Sequence, residues 1–95
     1  MLKMQIEFND IKAQADGVSV DALYEYTNER FRNRNLKVCA DGVYVGNDKG
    51  SDLKQFMIMA SALSETEWFA KYISTWMWYE ESDEPENLIK TFELE

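Results

Sequence analysis

Residues 36–46 read LKVCADGVYVG, and no other stretch constrains the fold as strongly. Asp41-Gly42 sits between two runs rich in β-branched residues. That is the pattern of a hairpin closed by a two-residue turn, in which both central residues need positive φ. Such a turn pairs Ala40 with Val43, Cys39 with Tyr44 and Val38 with Val45. Strand alternation then sets Leu36, Val38, Ala40, Val43 and Val45 on one face, with Lys37, Cys39 and Tyr44 on the other. A third strand is legible at the N-terminus, where Leu2, Met4, Ile6 and Phe8 alternate with Lys3, Gln5 and Glu7. That is the period of a strand with one buried face.

Between these strands, Asp16-Gly17 marks a turn and Ser19 is placed as a helix N-cap. Val18 and Leu23 stand where a hydrophobic staple would hold them. Leu23, Tyr24, Thr27 and Phe31 then recur at helical spacing to about residue 33. After the polar loop GNDKGS, Ser51 and Asp52 open a second helix with Leu53, Phe56, Met57, Ala60 and Leu63 as its inner stripe. Ile58, Met59 and Ala62 carry apolar character to the opposite side, leaving a polar strip at Lys54 and Ser61. A helix apolar on both sides is buried on more than one side, and Ile58, Met59 and Ala62 form a candidate homodimer seam.

Ser64-Glu65-Thr66-Glu67 matches a capping box and predicts a third helix running through Tyr79. Phe69, Tyr72, Ile73 and Trp76 would form its core stripe, flanked by Trp68, Met77 and Tyr79. Pro85 suits the first turn of a short final helix with Leu88, Ile89 and Phe92 on its apolar face. A terminal strand through Leu88, Lys90, Phe92 and Leu94 is the alternative. The sequence therefore predicts a single α+β domain over residues 1–95. It has a small antiparallel sheet (the N-terminal strand plus the β-hairpin 36–46) with three to four helices packed mainly on one face.

Several chemistries lack their residues. The chain has no histidine, so the commonest general base and metal ligand are missing. Cys39 is the sole cysteine, with no partner for an internal disulfide and no histidine to activate it. It reads as a small strand residue in a reducing, cytoplasmic compartment. Glu80 and Glu84 could pair as acid and base only across a deep cleft, which 95 residues rarely supply. GNDKGSD lacks the ligand spacing of a calcium loop and the pattern of a phosphate-binding loop. No enzyme, metal or cofactor is expected. No apolar run approaches the ~18–20 residues needed to span a bilayer.

Charge is what remains to carry function. The net charge is −8. Residues 1–54 hold eight Lys or Arg against nine Asp or Glu, a net of −1, whereas residues 55–95 hold two against nine, a net of −7. The sharpest juxtaposition is TWMWYEESDEPE at residues 75–86, bulky aromatics running directly into carboxylates. On a helical wheel Trp78 falls opposite Trp76, so it is either exposed or covered by the C-terminal segment. Five carboxylates at a helix C-terminus oppose the helix dipole, a local cost that a partner can offset. The expected site is thus an acidic recognition surface of Trp78, Tyr79, Glu80, Glu81, Asp83, Glu84 and Glu86. Aromatic anchors would bind, and carboxylates would steer, a basic protein partner such as a nucleic-acid-binding protein.

In size, acidity and mixed α+β make-up the chain is similar to small acidic inhibitors of phages and mobile elements, some anti-CRISPR and DNA-mimic proteins among them. That resemblance implies inhibition by imitating nucleic-acid charge. Two alternatives stand beside it. One is a homodimeric accessory protein using the Ile58, Met59 and Ala62 seam. The other is a winged-helix-like nucleic-acid binder using Arg30, Arg32, Arg34 and Lys37, against which the net negative charge works.

Overall fold

The computed structural model describes residues 2–47, 50–80 and 84–94. Strand β1 (Lys3–Phe8) lies at the centre of a five-stranded antiparallel sheet. The order is β2 (Lys37–Ala40), β3 (Val43–Val45), β1, β4 (Ile73–Tyr79) and β5 (Glu86–Asn87). Among the described residues there are five helices: α1 (Asp10–Ala15), α2 (Val20–Arg32), α3 (Asp52–Ser64), α4 (Glu67–Tyr72) and α5 (Leu88–Thr91). The expected α+β class and antiparallel sheet are present. No described helix is long and apolar enough to cross a membrane.

The largest departure from the sequence reading is β4. The third helix stops at Tyr72, and Ile73 turns to extended backbone (φ −72°, ψ 137°). ISTWMWY, all β-branched or aromatic apart from Ser74 and Met77, pairs with the second side of β1. Along a strand Trp76 and Trp78 point the same way, opposite Ile6 and Met4 respectively. Both are buried, Trp78 to 5% exposure. Ser74 is the extra residue of a bulge opposite Glu7 and Phe8, and its hydroxyl donates to the Glu7 carbonyl at 3.1 Å. The capping box is likewise displaced. Thr66, not Ser64, precedes α4, and the Ser64 and Thr66 hydroxyls donate back to the carbonyls of Ser61 and Ala62.

The hairpin forms, in a different register. Ala40 pairs Val43 as expected, but a bulge at Cys39 sets Val38 against Tyr44 and Lys37 against Val45. Of the two turn residues only Gly42 takes positive φ, so the turn is not the two-residue mirror-image type. Tyr44 therefore faces the core, where its ring stacks on Phe31 with centroids 3.8 Å apart. Its hydroxyl donates to Asn28 Oδ1 at 2.6 Å, and Asn28 Nδ2 donates to Asp41 at 2.9 Å. This chain of bonds ties α2 to the hairpin turn. Burial pushes the Tyr44 phenol far above its ordinary range, so it stays a neutral donor.

Helix α2 starts where Ser19 places it, the serine accepting from the Ala22 N–H at 3.2 Å. It ends in a Schellman motif. Asn35 takes φ 60°, its N–H reaches the Arg32 carbonyl, and the Leu36 N–H reaches that of Phe31 at 3.1 Å. Helix α1 was not foreseen. Asn9 caps it by accepting from the Lys12 N–H at 3.0 Å, and its six residues are too few to display a period. The C-terminal helix is real but starts at Leu88, capped by Asn87, with β5 ahead of it and not the first turn at Pro85.

The core lies on one face of the sheet. Met4, Ile6, Tyr44, Trp76 and Trp78 meet Phe31 of α2, Phe56 of α3 and Phe69 of α4. Phe92, just past α5, stacks on Trp76 at 5.3 Å. Helix α3 is rotated from its expected setting. Phe56, Met59, Ala60 and Leu63 point inward, while Leu53 and Met57 are 46% and 42% exposed.

A local pH effect follows from the end of α1. The Asp16 carboxylate accepts from the Tyr72 hydroxyl at 2.8 Å and lies 3.3 Å from Lys71 Nζ. These partners hold its carboxyl below the usual carboxylate range, the Tyr72 hydrogen bond contributing most. A depressed folded-state pKa means that this stabilisation is complete above about pH 4 and is lost as pH falls through the folded value. Asp16→Asn is expected to shift the acid-unfolding midpoint and flatten stability below pH 4, leaving the neutral-pH melting temperature only slightly lower. Urea melts from pH 2.5 to 7 test it; identical acid limbs for both proteins would reject the assignment.

Candidate protein-docking surfaces

The expected recognition residues divide at the sheet. Trp78 is inside, packed on Phe56 with centroids 4.9 Å apart, its indole N–H donating to Glu80 Oε1 at 2.8 Å. It offers no exposed anchor, a correction that follows from strand alternation replacing the helical wheel. Tyr79 falls on the opposite face of the sheet. There its hydroxyl donates to Gln5 Oε1 at 3.0 Å, and Lys3 Nζ sits 4.9 Å from its ring centre. Glu84 and Glu86 are exposed and Glu80 is half-buried. Glu86 accepts from the Thr91 hydroxyl at 2.6 Å. Glu81 and Asp83 lie outside the described residues.

Among the described residues, the ion pairs are made by Arg32 and Lys71, and neither reaches Glu80, Glu84 or Glu86. The abrupt sequence of aromatics and acids has a plain geometric cause. β4 carries its tryptophans through the core, and the chain leaves the sheet at Glu80, where the carboxylates begin.

A second surface lies between α2 and α3. Tyr26, Glu29, Arg30, Asn33 and Arg34 form one wall, and Ile58, Met59 and Ala62 the other, of an open groove of about 350 Å³. Two of the three expected seam residues, Ile58 and Ala62, are half-buried along it. Met59 is only 2% exposed and belongs to the core. Tyr26 was missed from the sequence. It is 51% exposed, its ring edge-on to Trp68 at 5.4 Å. Arg30 lies over it, guanidinium 5.6 Å from the ring centre and Nη1 3.2 Å from the hydroxyl. The Tyr26–Arg30 spacing of i,i+4 is the signal that points to this pairing.

The basic residues do not act as one patch. Arg32 turns to Glu25 (3.9 Å) and Glu29 (3.6 Å), and Arg30 to Tyr26. Arg34 has no ion pair among the described residues. The hairpin is no free wing either, because β3 pairs with β1. Cys39 is exposed on β2, at the edge of the sheet. Among the described residues no three His, Cys, Asp or Glu side chains are grouped so as to hold a metal ion. No protein-family model matches the chain, and comparison with curated proteins finds no match.

Proposed function

We propose that the chain is a small acidic protein-binding domain whose carboxylates, where β4 leaves the sheet, dock a basic partner. In its sharpest form the partner is a nucleic-acid-binding protein whose phosphate-contacting groove those carboxylates occupy, making the chain an inhibitor of the kind phages and mobile elements encode. The observation that carries the reading is that, among the described residues, Glu80, Glu84 and Glu86 make no ion pair, in a half-chain whose sequence holds only Lys71 and Lys90 as cations. Charge that is left unpaired on a surface steers association and sets partner choice. With Trp78 in the core, aromatic anchoring falls away and electrostatics supply most of the affinity. Direct nucleic-acid binding is disfavoured by the net −8 and by Glu25 and Glu29 beside Arg32.

The test is a pull-down on immobilised protein, with the bound partner then challenged by salt and by duplex DNA. Release between roughly 50 and 200 mM salt and displacement by DNA are expected. Reversing Glu80, Glu81, Asp83 and Glu84 to lysine should weaken binding by at least ~100-fold, since close charge pairs at interfaces couple by ~1.5 kcal/mol or more each. A partner that resists salt, or affinity unchanged by the reversals, rejects the proposal.

A further inference from the structure

We propose that the cleft between α2 and α3 binds a small amphipathic monocarboxylate, its apolar body along Ile58 and Ala62 and its carboxylate on Arg34. Phe31 and Phe56 join the two helices at the core, ring centroids 6.3 Å apart, but the helices are otherwise not closely packed, and a cleft stays open between them. Its polarity changes along its length. The groove of about 350 Å³ beside Ile58 and Ala62 adjoins a polar hollow of about 250 Å³ formed by Asn35, Ser51, Asp52 and Gln55. Asn33 and Arg34 line both, so they stand where the apolar half meets the polar half. A ligand apolar at one end and charged at the other matches that order, and a space of this size suits a small molecule.

The sign of the charge follows from which side chains are already engaged. Glu29 is 3.6 Å from Arg32, and Asp52, only 5% exposed, accepts from the Asn47 N–H at 2.8 Å. Arg30 is turned to Tyr26. The exposed Arg34 guanidinium makes neither an ion pair nor a hydrogen bond among the described residues, so its donors are the ones left for a ligand. A guanidinium fork meets a carboxylate with two parallel hydrogen bonds, and the Asn33 amide lines the same stretch as a further donor. The net −8 does not decide against a single anion. Residues 55–95 carry −7 of it, and salt screens charges more than about 8 Å away, so direct contact with Arg34 dominates. A nucleic acid or an acidic protein spans several such lengths and accumulates the repulsion. The apolar stretch from Ile58 to Ala62 covers about 6 Å at 1.5 Å per residue, which limits the body to a short chain or a single ring.

Titrating octanoate into the isotope-labelled whole protein, read by amide shifts in NMR, tests this, with octan-1-ol and octylammonium as probes of equal body. Octanoate is expected to bind with a dissociation constant below ~1 mM, shifting Arg34, Ile58 and Ala62. The alcohol should bind at least ~5-fold more weakly, and octylammonium more weakly still. Arg34→Glu should weaken octanoate at least ~10-fold and leave the alcohol unchanged, because hydrogen bonds between charged groups are lost. Lys54→Glu makes the same charge change on the outward strip of α3 and should leave octanoate binding within ~2-fold. Both positions are exposed, so both variants fold. The lysine reversals at the acidic end should not weaken octanoate, so this site and the proposed function fail separately. An absence of shifts up to ~5 mM octanoate, equal affinity for all three probes, or equal losses in Arg34→Glu and Lys54→Glu overturns the assignment.

Discussion

Trp76→Ala is expected to cost about 3–5 kcal/mol, the usual range for emptying a buried tryptophan site. In a 95-residue domain with total stability of roughly 5–14 kcal/mol, that loss brings the chain close to unfolding at 37 °C. The reason is the number of elements that meet on one ring system. Phe69 of α4 lies edge-on at 5.0 Å, Phe92 stacks at 5.3 Å, and the indole N–H points at Met4 Sδ, 3.2 Å away. Removing the indole therefore uncouples α4 and the C-terminal segment from β1 together. At ~4–8 °C per kcal/mol, the melting temperature should fall by at least ~12 °C. Trp78→Ala provides the discriminating companion. In a strand the two tryptophans share a face, so both substitutions should be severe. In a helix through residue 79 they would lie on opposite sides, and Trp78→Ala would be mild wherever the C-terminal segment did not cover it. Thermal and urea melts of the two variants settle which geometry holds, and a loss below ~1 kcal/mol at Trp78 would sink the strand assignment.

That stretch also marks where the sequence stopped being legible. Phe69, Tyr72, Ile73 and Trp76 do recur at helical spacing, and Trp76 and Trp78 recur at strand spacing. A run apolar at nearly every position satisfies both periods. What decides is tertiary: β1 has two edges, the hairpin fills one, and ISTWMWY is needed at the other. Where one face is polar, as in β1 and α2, periodicity located the element and most of its buried side. Helix α3 lacked that contrast. Its polar strip at Lys54 and Ser61 does face outward, yet apolar residues on both flanks left the inward direction to be fixed by packing on Phe31 and Trp78. The hairpin failed for a different reason. A single bulge at Cys39 shifts the pairing beyond it, which puts Tyr44 on the same face as Val38 and not opposite it.

The candidate sites follow the same division. Charge is readable from composition because it needs no partner within the chain; Glu84 and Glu86 are exposed and Glu80 is half-buried. Aromatic anchors are not readable in that way, because burial depends on what the fold brings over them. Trp78, the expected anchor, is inside; Tyr26, which no stripe singled out, is outside. The two surfaces lie on different elements, one where β4 leaves the sheet and one between α2 and α3.

Gly42→Ala is expected to be the other severe single substitution, through the backbone and not through lost packing. Gly42 takes φ +81°, where an L-residue costs about 1–3 kcal/mol. The space is closed as well. The Gly42 carbonyl accepts from the Ile6 N–H at 2.7 Å, and a methyl group added at Gly42 would overlap the Ile6 carbonyl oxygen and crowd the Tyr24 ring at 3.2 Å. Relieving the overlap requires the turn to lift from β1, breaking that hydrogen bond. The same shift would disturb Asp41, which ties the turn to Asn28. The combined cost should reach ~3 kcal/mol or more, lowering the melting temperature by at least ~12 °C. Gly17→Ala separates the two contributions. Gly17 has φ +73°, but an added Cβ there meets nothing within 4 Å, so only the conformational cost remains, about 1 kcal/mol. Equal melting temperatures for the two variants would mean that the turn does not pack on β1. A gap of ~2 kcal/mol or more would establish close backbone approach as the reason residue 42 must be glycine.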